Sequence, residues 1–260
     1  MKWCRFKTGE KVVYGIIEGD TVIEVEGSPF DSYTRTSNSQ PLSSVKLEVP
    51  VIPPTFYAAG INYPEHVTWA AQQVGTQPNL PKQADVGYRA ANALIAQDEP
   101  IIIPKDATEK VQYEGELVAV IGKTCKNVTE EEALDYVLGY TIGNDVSERT
   151  WQRGDRTLWR AKNTDTFKPM GPWIVTGLNP DALRVKVTLS GRVAIEYVAG
   201  TAIFGVRAYI SAMSRYLTLH PGDVLWMGTE GAGENMKDGD IVEVEISEIG
   251  VLRNPVVRER

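Results

Sequence analysis

The sequence predicts an α+β fold that is mostly β, and three observations carry that prediction. Short apolar runs with two-residue alternation recur along the chain, turn formers separate them, and stretches of helical periodicity are few. The helical stretches do not alternate regularly with the strands, which disfavours a βαβ barrel or a doubly wound sheet. The 260 residues, 42% hydrophobic and 23% charged, suffice for one large core with a small appended domain.

Taken in order, Val12 to Ile17 and Val22 to Val25 are apolar-rich runs separated by Glu18, Gly19, Asp20 and Thr21, which predicts a hairpin. A Ser/Thr-rich stretch from Ser28 to Ser44, followed by Pro50, Pro53 and Pro54, separates this unit from the rest. Clustered prolines suit neither a helix nor a central strand. The expected division is a small β-rich domain over residues 1–49 and a larger domain over 50–260. Phe56 to Ile61 is a short apolar run. Gln72 to Gln83 is polar and contains proline, so it is expected to be a loop long enough to act as a mobile lid.

Glu114 to Ile121 reads as a buried strand, because beyond its two carboxylates both faces are apolar: Val118 and Val120 on one, Leu117, Ala119 and Ile121 on the other. Thr129 with Glu132 forms a capping box, which predicts a helix to about Leu138 with Gly139 as its stop, then a strand over Tyr140 to Asn144. Val185, Val187 and Leu189, and later Val242, Val244 and Ile246, alternate with polar residues as in half-exposed antiparallel strands. Val206, Tyr209, Ile210, Met213 and Leu217 mark one helical face that ends before Pro221 and Gly222.

The 27 Lys+Arg against 34 Asp+Glu give a net charge of −7, which argues against a polyanionic partner such as nucleic acid. No stretch approaches the roughly 18 apolar residues of a membrane helix, and Met1 to Gly9 lacks the apolar core of a signal peptide. A cytoplasmic protein without membrane partners is expected. Cys4 and Cys125 match no metal or redox spacing and read as reduced, structural thiols.

The strongest chemical signal is Tyr113-Glu114-Gly115-Glu116-Leu117-Val118. Residues two apart on a strand share a face, so Glu114 and Glu116 are neighbours, and two like charges at a buried position need a neutralising cation. Asp145, just after the strand ending at Asn144, could converge on the same point. Three carboxylates without His or Cys suit a hard ion, Mg²⁺, Mn²⁺ or Ca²⁺, rather than Zn²⁺. Spacing alone leaves open a solvated pair of glutamates and an unrelated turn aspartate. Other patterns carry less: Gly122-Lys123-Thr124 lacks the first glycine of a phosphate loop, Gly231-Ala232-Gly233 lacks the third glycine of a dinucleotide fingerprint, and His220 before Pro221 reads as a turn residue.

Four motifs in order, Gly60-Ile61-Asn62-Tyr63-Pro64-Glu65-His66, Tyr113-Glu114-Gly115-Glu116-Leu117, Gly139-Tyr140-Thr141-Ile142-Gly143-Asn144-Asp145-Val146-Ser147 and Lys162-Asn163-Thr164-Asp165-Thr166-Phe167, resemble the fumarylacetoacetate hydrolase superfamily. The resemblance implies a mixed β-sandwich roll, usually a homodimer, with a divalent ion, Mg²⁺ or else Mn²⁺ or Ca²⁺, held by Glu114, Glu116 and Asp145. It implies a small oxo-acid substrate. Lys162 matches the lysine that stabilises enolate charge, and Tyr63, Arg149, Gln152 and Thr229 match substrate-binding positions. His66 matches the histidine that activates water in hydrolytic members together with a glutamate three residues later; here that residue is Trp69. Glu65 is adjacent and, on a helix, points elsewhere. Arg89 stands where relatives often carry lysine.

The function implied is metal-dependent hydrolysis of a C–C bond in a 2,4-dioxo acid such as an acylpyruvate, through a metal-chelated enolate. Trp69 supports an alternative that needs no activated water: decarboxylation or isomerisation of a 2-oxo or 2-hydroxy-dienoic acid with the same ion and lysine. A non-catalytic ligand-binding relative is the third alternative.

Overall fold

The structure is a computed structural model that describes residues 1–231 and 233–260, apart from the side chains of Gln73 and Val74. Strands β1 (Lys2–Thr8), β2 (Lys11–Glu18), β3 (Thr21–Gly27) and β4 (Tyr33–Pro41) form an antiparallel meander, and the short β5 (Lys46–Glu48) pairs with β1. The expected hairpin is β2 and β3, turning through Gly19 at φ 56°. The Ser/Thr-rich stretch is not a plain connector, because β4 runs through it. As an outer strand exposed along most of its length, β4 needs no apolar face, so its composition carries no strand alternation.

The chain continues through β6 (Phe56–Ala59), α1 (Pro64–Val74), β7 (Val86–Tyr88), β8 (Leu94–Ile95), β9 (Ile101–Ile103), β10 (Val111–Gln112), β11 (Gly115–Ile121), β12 (Val137–Asn144) and β13 (Ser147–Glu148). Two short helices, α2 (Arg149–Gln152) and α3 (Trp159–Asn163), precede β14 (Lys168–Val175), β15 (Arg184–Leu189) and β16 (Arg192–Val198). Then come α4 (Val206–Ser214), β17 (Val224–Trp226), β18 (Ile241–Ile246) and β19 (Gly250–Arg258). Among the described residues no helix is long and apolar enough to cross a membrane.

A 12-stranded sheet follows the order β4-β3-β2-β1-β14-β12-β11-β17-β6-β7, with β5 on β1 and β8 on β14; a five-stranded sheet runs β16-β15-β18-β19-β9, and β10 pairs with β13. The N-terminal meander continues the large sheet through β1 and β14, where Lys2 pairs with Val175 and Trp3 with Ile174. Strand β11 is buried on both faces, as its composition predicts. Leu117, Ala119 and Ile121 share a core with Val187, Val244 and Ile246 of the second sheet, while Val118 and Val120 pack with Phe56, Trp226 and Met170.

The capping box forms but caps no α-helix. The Glu132 carboxylate accepts from Thr129 N and Oγ1, both at 3.0 Å, after which the chain makes only a 3₁₀ turn over Ala133–Tyr136 and enters β12 at Val137. Gly139 lies inside that strand. A Cβ there would stand 2.4 Å from the carbonyl oxygen of Val175, so glycine serves the close approach of β12 to β14 rather than a helix end. Helix α1 also extends further than expected: it takes in Gln72 to Val74 and ends at Gly75, φ 70°, so the loop begins only there. Helix α4 carries the expected face, with Leu217 just beyond its end.

Candidate active site and metal centre

Strand pairing brings the three carboxylates together. In the β11–β12 ladder Gly115 faces Asn144 and Glu116 faces Gly143, so Glu114 at the mouth of β11 meets Asp145 at the end of β12. Asp145 N donates to the Glu114 carbonyl at 2.9 Å, and Glu114 N donates to Asn144 Oδ1 at 2.9 Å. The side chains of Glu114, Glu116 and Asp145 are buried, and one carboxylate oxygen from each lies within 4.8 Å of the others.

Four cations surround them. Lys162, from α3, places Nζ 2.5 Å from Glu114 Oε2 and 2.7 Å from Asp145 Oδ2. Arg149 pairs with Glu114 at 2.7 Å and is steadied by Gln112 at 2.7 Å and Gln152 at 3.0 Å. Arg89 forks onto Asp145, with its closest contact at 2.9 Å, and Lys168 reaches Asp145 Oδ1 at 2.7 Å. Burial alone would raise the Glu114 carboxyl, but Lys162 and Arg149 outweigh it and bring it down to about 2. Burial opposes ionisation of Asp145 as well, yet Arg89, Lys162 and Lys168 hold it well below the usual range.

Glu116 differs. Among the described residues it has no ion pair and accepts only the Gly228 N–H, at 2.8 Å, so burial and then the charges of Asp145 and Glu114 push it up to about 8. An all-oxygen donor set containing one buried carboxylate without a counter-charge fits a hard divalent cation. The ion would be held by Glu114, Glu116 and Asp145. Because an unfolded glutamate releases its proton near 4.5 and Glu116 holds its own to about 8, ion binding at pH 7 must expel a proton. Calorimetry of Mn²⁺ binding in buffers of different ionisation enthalpy should therefore report release of about one proton near pH 7. An enthalpy independent of buffer would contradict this.

The centre opens into a cavity of about 630 Å³. His66, Arg149, Gln152, Lys162 and Thr229 line it, so five of the expected residues share one wall system with the carboxylates, and Trp69 joins them. Tyr63 does not: it is fully buried outside the lining, donates to the Ala199 carbonyl at 3.2 Å and packs edge-on to Tyr197, so its contacts lie in the core beside α1. No described residue of the segment 72–83 lines the cavity, which leaves the expected lid without a contact there.

His66 sits in the first turn of α1, and its Nδ1 lies 3.1 Å from the Thr229 carbonyl. A carbonyl only accepts, so Nδ1 carries the proton and Nε2 holds the lone pair. Burial lowers the imidazole below its ordinary pKa, although Glu114 opposes the shift. Glu65 points out to solvent, as its position next to His66 implies. Trp69 lies one turn on from His66, with ring centroids 5.5 Å apart, and faces the Arg149 guanidinium at 5.7 Å.

Sequence reasoning missed Lys168 and Gln112, and it assigned Arg89 no partner. The available signal for Lys168 was a lysine heading an otherwise apolar strand, Lys-Pro-Met-Gly-Pro-Trp-Ile-Val, directly after the Lys162 motif. His220 is a turn residue whose N–H donates to Asp223. Of Gly231-Ala232-Gly233, Ala232 lies outside the described residues, and Gly233 lines the cavity.

Residues 55–257 match the family described as fumarylacetoacetate (FAA) hydrolase, C-terminal. The chain belongs to the fumarylacetoacetate hydrolase family. Residues 1–50 match the Rv2993c-like N-terminal family. Among solved structures, a 5-carboxymethyl-2-hydroxymuconate delta-isomerase from Mycobacterium smegmatis superposes with a TM-score of 0.90 at 36% identity, covering 100% of both chains. An oxaloacetate tautomerase, fahd2, of Xenopus laevis is 33% identical over 92% of this chain and 76% of its own length. A 2,4-didehydro-3-deoxy-L-rhamnonate hydrolase of Sphingomonas sp. is 32% identical over 98% and 96%. Family members thus span isomerisation, tautomerisation and hydrolysis on one fold.

Proposed function

We propose that this chain catalyses ion-dependent proton transfer on a 2-oxo or 2-hydroxy-dienoic acid: isomerisation or keto–enol interconversion rather than hydrolysis. The observation that carries the proposal is the environment of His66. Among the described residues no carboxylate orients it, Trp69 occupies the position from which one would, and the Thr229 carbonyl holds the ring instead. A carbonyl can fix the tautomer but adds no charge to support the imidazolium that water activation would create. Taking a proton from the carbon next to a polarised 2-oxo group forms the same imidazolium, but from a donor more acidic than water, so the same base suffices with less support.

A divalent ion held by Glu114, Glu116 and Asp145 would supply Lewis-acid polarisation of the 2-oxo group. Lys162, fixed against Glu114 and Asp145, presents its ammonium to negative charge that develops on the substrate oxygen. His66, kept neutral by burial, takes the proton at Nε2 and returns it to a different carbon or to oxygen. Arg149, held by Gln112, Gln152 and Trp69, forms a fixed cationic wall for an anionic substrate. The isomerase and tautomerase relatives support this reading. The hydrolytic alternative draws support from His66 itself, which still lines the cavity, and from the hydrolase relative.

Product identity decides between them. With Mg²⁺ or Mn²⁺ in D₂O, a panel of 2-oxo and 2-hydroxy-dienoic acids should gain deuterium beside the oxo carbon with the carbon skeleton intact, followed by NMR and mass spectrometry. Exhaustive EDTA treatment should stop the exchange and added ion should restore it. Two carboxylic acids as products would establish the hydrolase, released CO₂ a decarboxylase, and no turnover across the panel a binding protein.

A further inference from the structure

Lys168, the first residue of β14, is fully buried and is not part of the cavity lining. Its Nζ contacts Asp145 Oδ1 at 2.7 Å and donates to the carbonyls of Phe167 at 2.8 Å and Val146 at 3.0 Å. Three acceptors match the three hydrogens of an ammonium, whereas a neutral amine would leave one acceptor facing a lone pair. A buried charge is tolerated only when it is paired and hydrogen-bonded; this one is both, and Asp145 opposes the burial that pulls the ammonium down to about 7.

Asp145 needs no further cation for its own sake. Arg89 forks onto its carboxylate and Lys162 contacts its Oδ2, so Lys168 is a third positive group on one negative one. Counting Arg149, four cations surround the carboxylate cluster, and three of them converge on Asp145 alone before any ion arrives. Of the four, Lys168 is the one that does not line the cavity, so it acts on the centre only through Asp145. Lys168 also ties the turn after Asp145 to the segment after Lys162, where Val146 N donates to the Phe167 carbonyl at 3.1 Å. We infer that Lys168 is a positioning residue that fixes Asp145 from behind and, as a resident counter-cation, holds the ion-free centre together while keeping the ion's affinity low enough for exchange. The inference rests on the reading that Glu114, Glu116 and Asp145 hold a divalent ion.

The test is calorimetric titration of EDTA-stripped protein with Mn²⁺, for wild type, Lys168→Gln, Lys168→Met and Lys168→Arg, with melting temperatures measured with and without Mn²⁺. Removing a unit charge beside a ligand carboxylate should tighten Mn²⁺ binding at least about tenfold in the Gln and Met variants, even at a high effective dielectric. Stripped, both should melt below wild type and recover most of the loss with Mn²⁺. Lys168→Arg, which keeps the charge, should stay within about threefold of wild-type affinity, a rescue that a purely packing role would not produce. Lys168→Gln can still donate to the two carbonyls and carries the comparison if the Met variant does not fold. Unchanged or weaker binding in the neutral variants, or an Arg variant that moves with them, would overturn the inference while leaving the metal centre in place. A wild type that takes up no Mn²⁺ would remove the metal reading and this inference with it.

Discussion

Lys162→Met is expected to lower kcat by roughly a hundredfold to a thousandfold while KM changes only a few fold, the pattern for a group that acts on charge present only in the transition state. The structure holds this lysine firmly. Its helix starts after Leu158, at φ 56°, and Asp155 caps it by accepting from Ala161 N at 2.8 Å and Arg160 N at 3.2 Å. Arg149 and Arg89 remain beside Glu114 and Asp145 in the variant, so the fold should survive. Losing a cation should also strengthen ion binding, which separates this effect from loss of the ion. Rates therefore need to be taken at saturating Mn²⁺, with loading checked by titration. A raised KM at unchanged kcat would make Lys162 a binding group and would count against proton transfer assisted by its charge.

The shared face of Glu114 and Glu116 was legible in the sequence because a strand repeats every two residues, whereas spacing left the convergence of Asp145 open and only the family resemblance supplied it. The alternation in β15 and β18 was legible from the same two-residue repeat. Other features depend on partners remote in sequence. Gly139 follows a genuine capping box and so resembles a helix stop, but its requirement comes from Val175, 36 residues away, across a close strand pair. Strand β4 is polar because its faces are exposed, so no periodic signal exists to be found. Tyr63 lies inside the motif that carries His66, yet the first turn of α1 sends one side chain to the cavity and leaves the other in the core. The cation surplus around Asp145 combines residues 89, 162 and 168, which only the fold assembles.

Gly115→Val is expected to destabilise the protein by about 3 kcal/mol and to weaken the ion site together with the fold. Gly115 separates Glu114 from Glu116 and faces the opposite side of β11, where the five-stranded sheet packs against it. A Cβ there would stand 2.5 Å from Val187 Cγ2 and 2.9 Å from Val244 Cγ1, both buried branched side chains with little freedom to retreat. Tyr197 donates to the Gly115 carbonyl at 2.7 Å and fixes the strand from the same layer. Overpacking of this kind costs about 1 to 3 kcal/mol or more, and a β-branched residue belongs at the upper end. At about 2 to 4 °C per kcal/mol for a chain of this size, the melting temperature should fall by about 10 °C. Any shift of β11 that relieves the clash moves both glutamates, so Mn²⁺ affinity should drop even though every ligand is retained. Gly115→Ala combined with Val187→Ala opens space for the added methyl and should melt above Gly115→Ala alone, a coupling expected between residues in contact. If Gly115→Val melted with wild type and bound Mn²⁺ normally, the close packing of the two sheets behind the metal centre would be wrong.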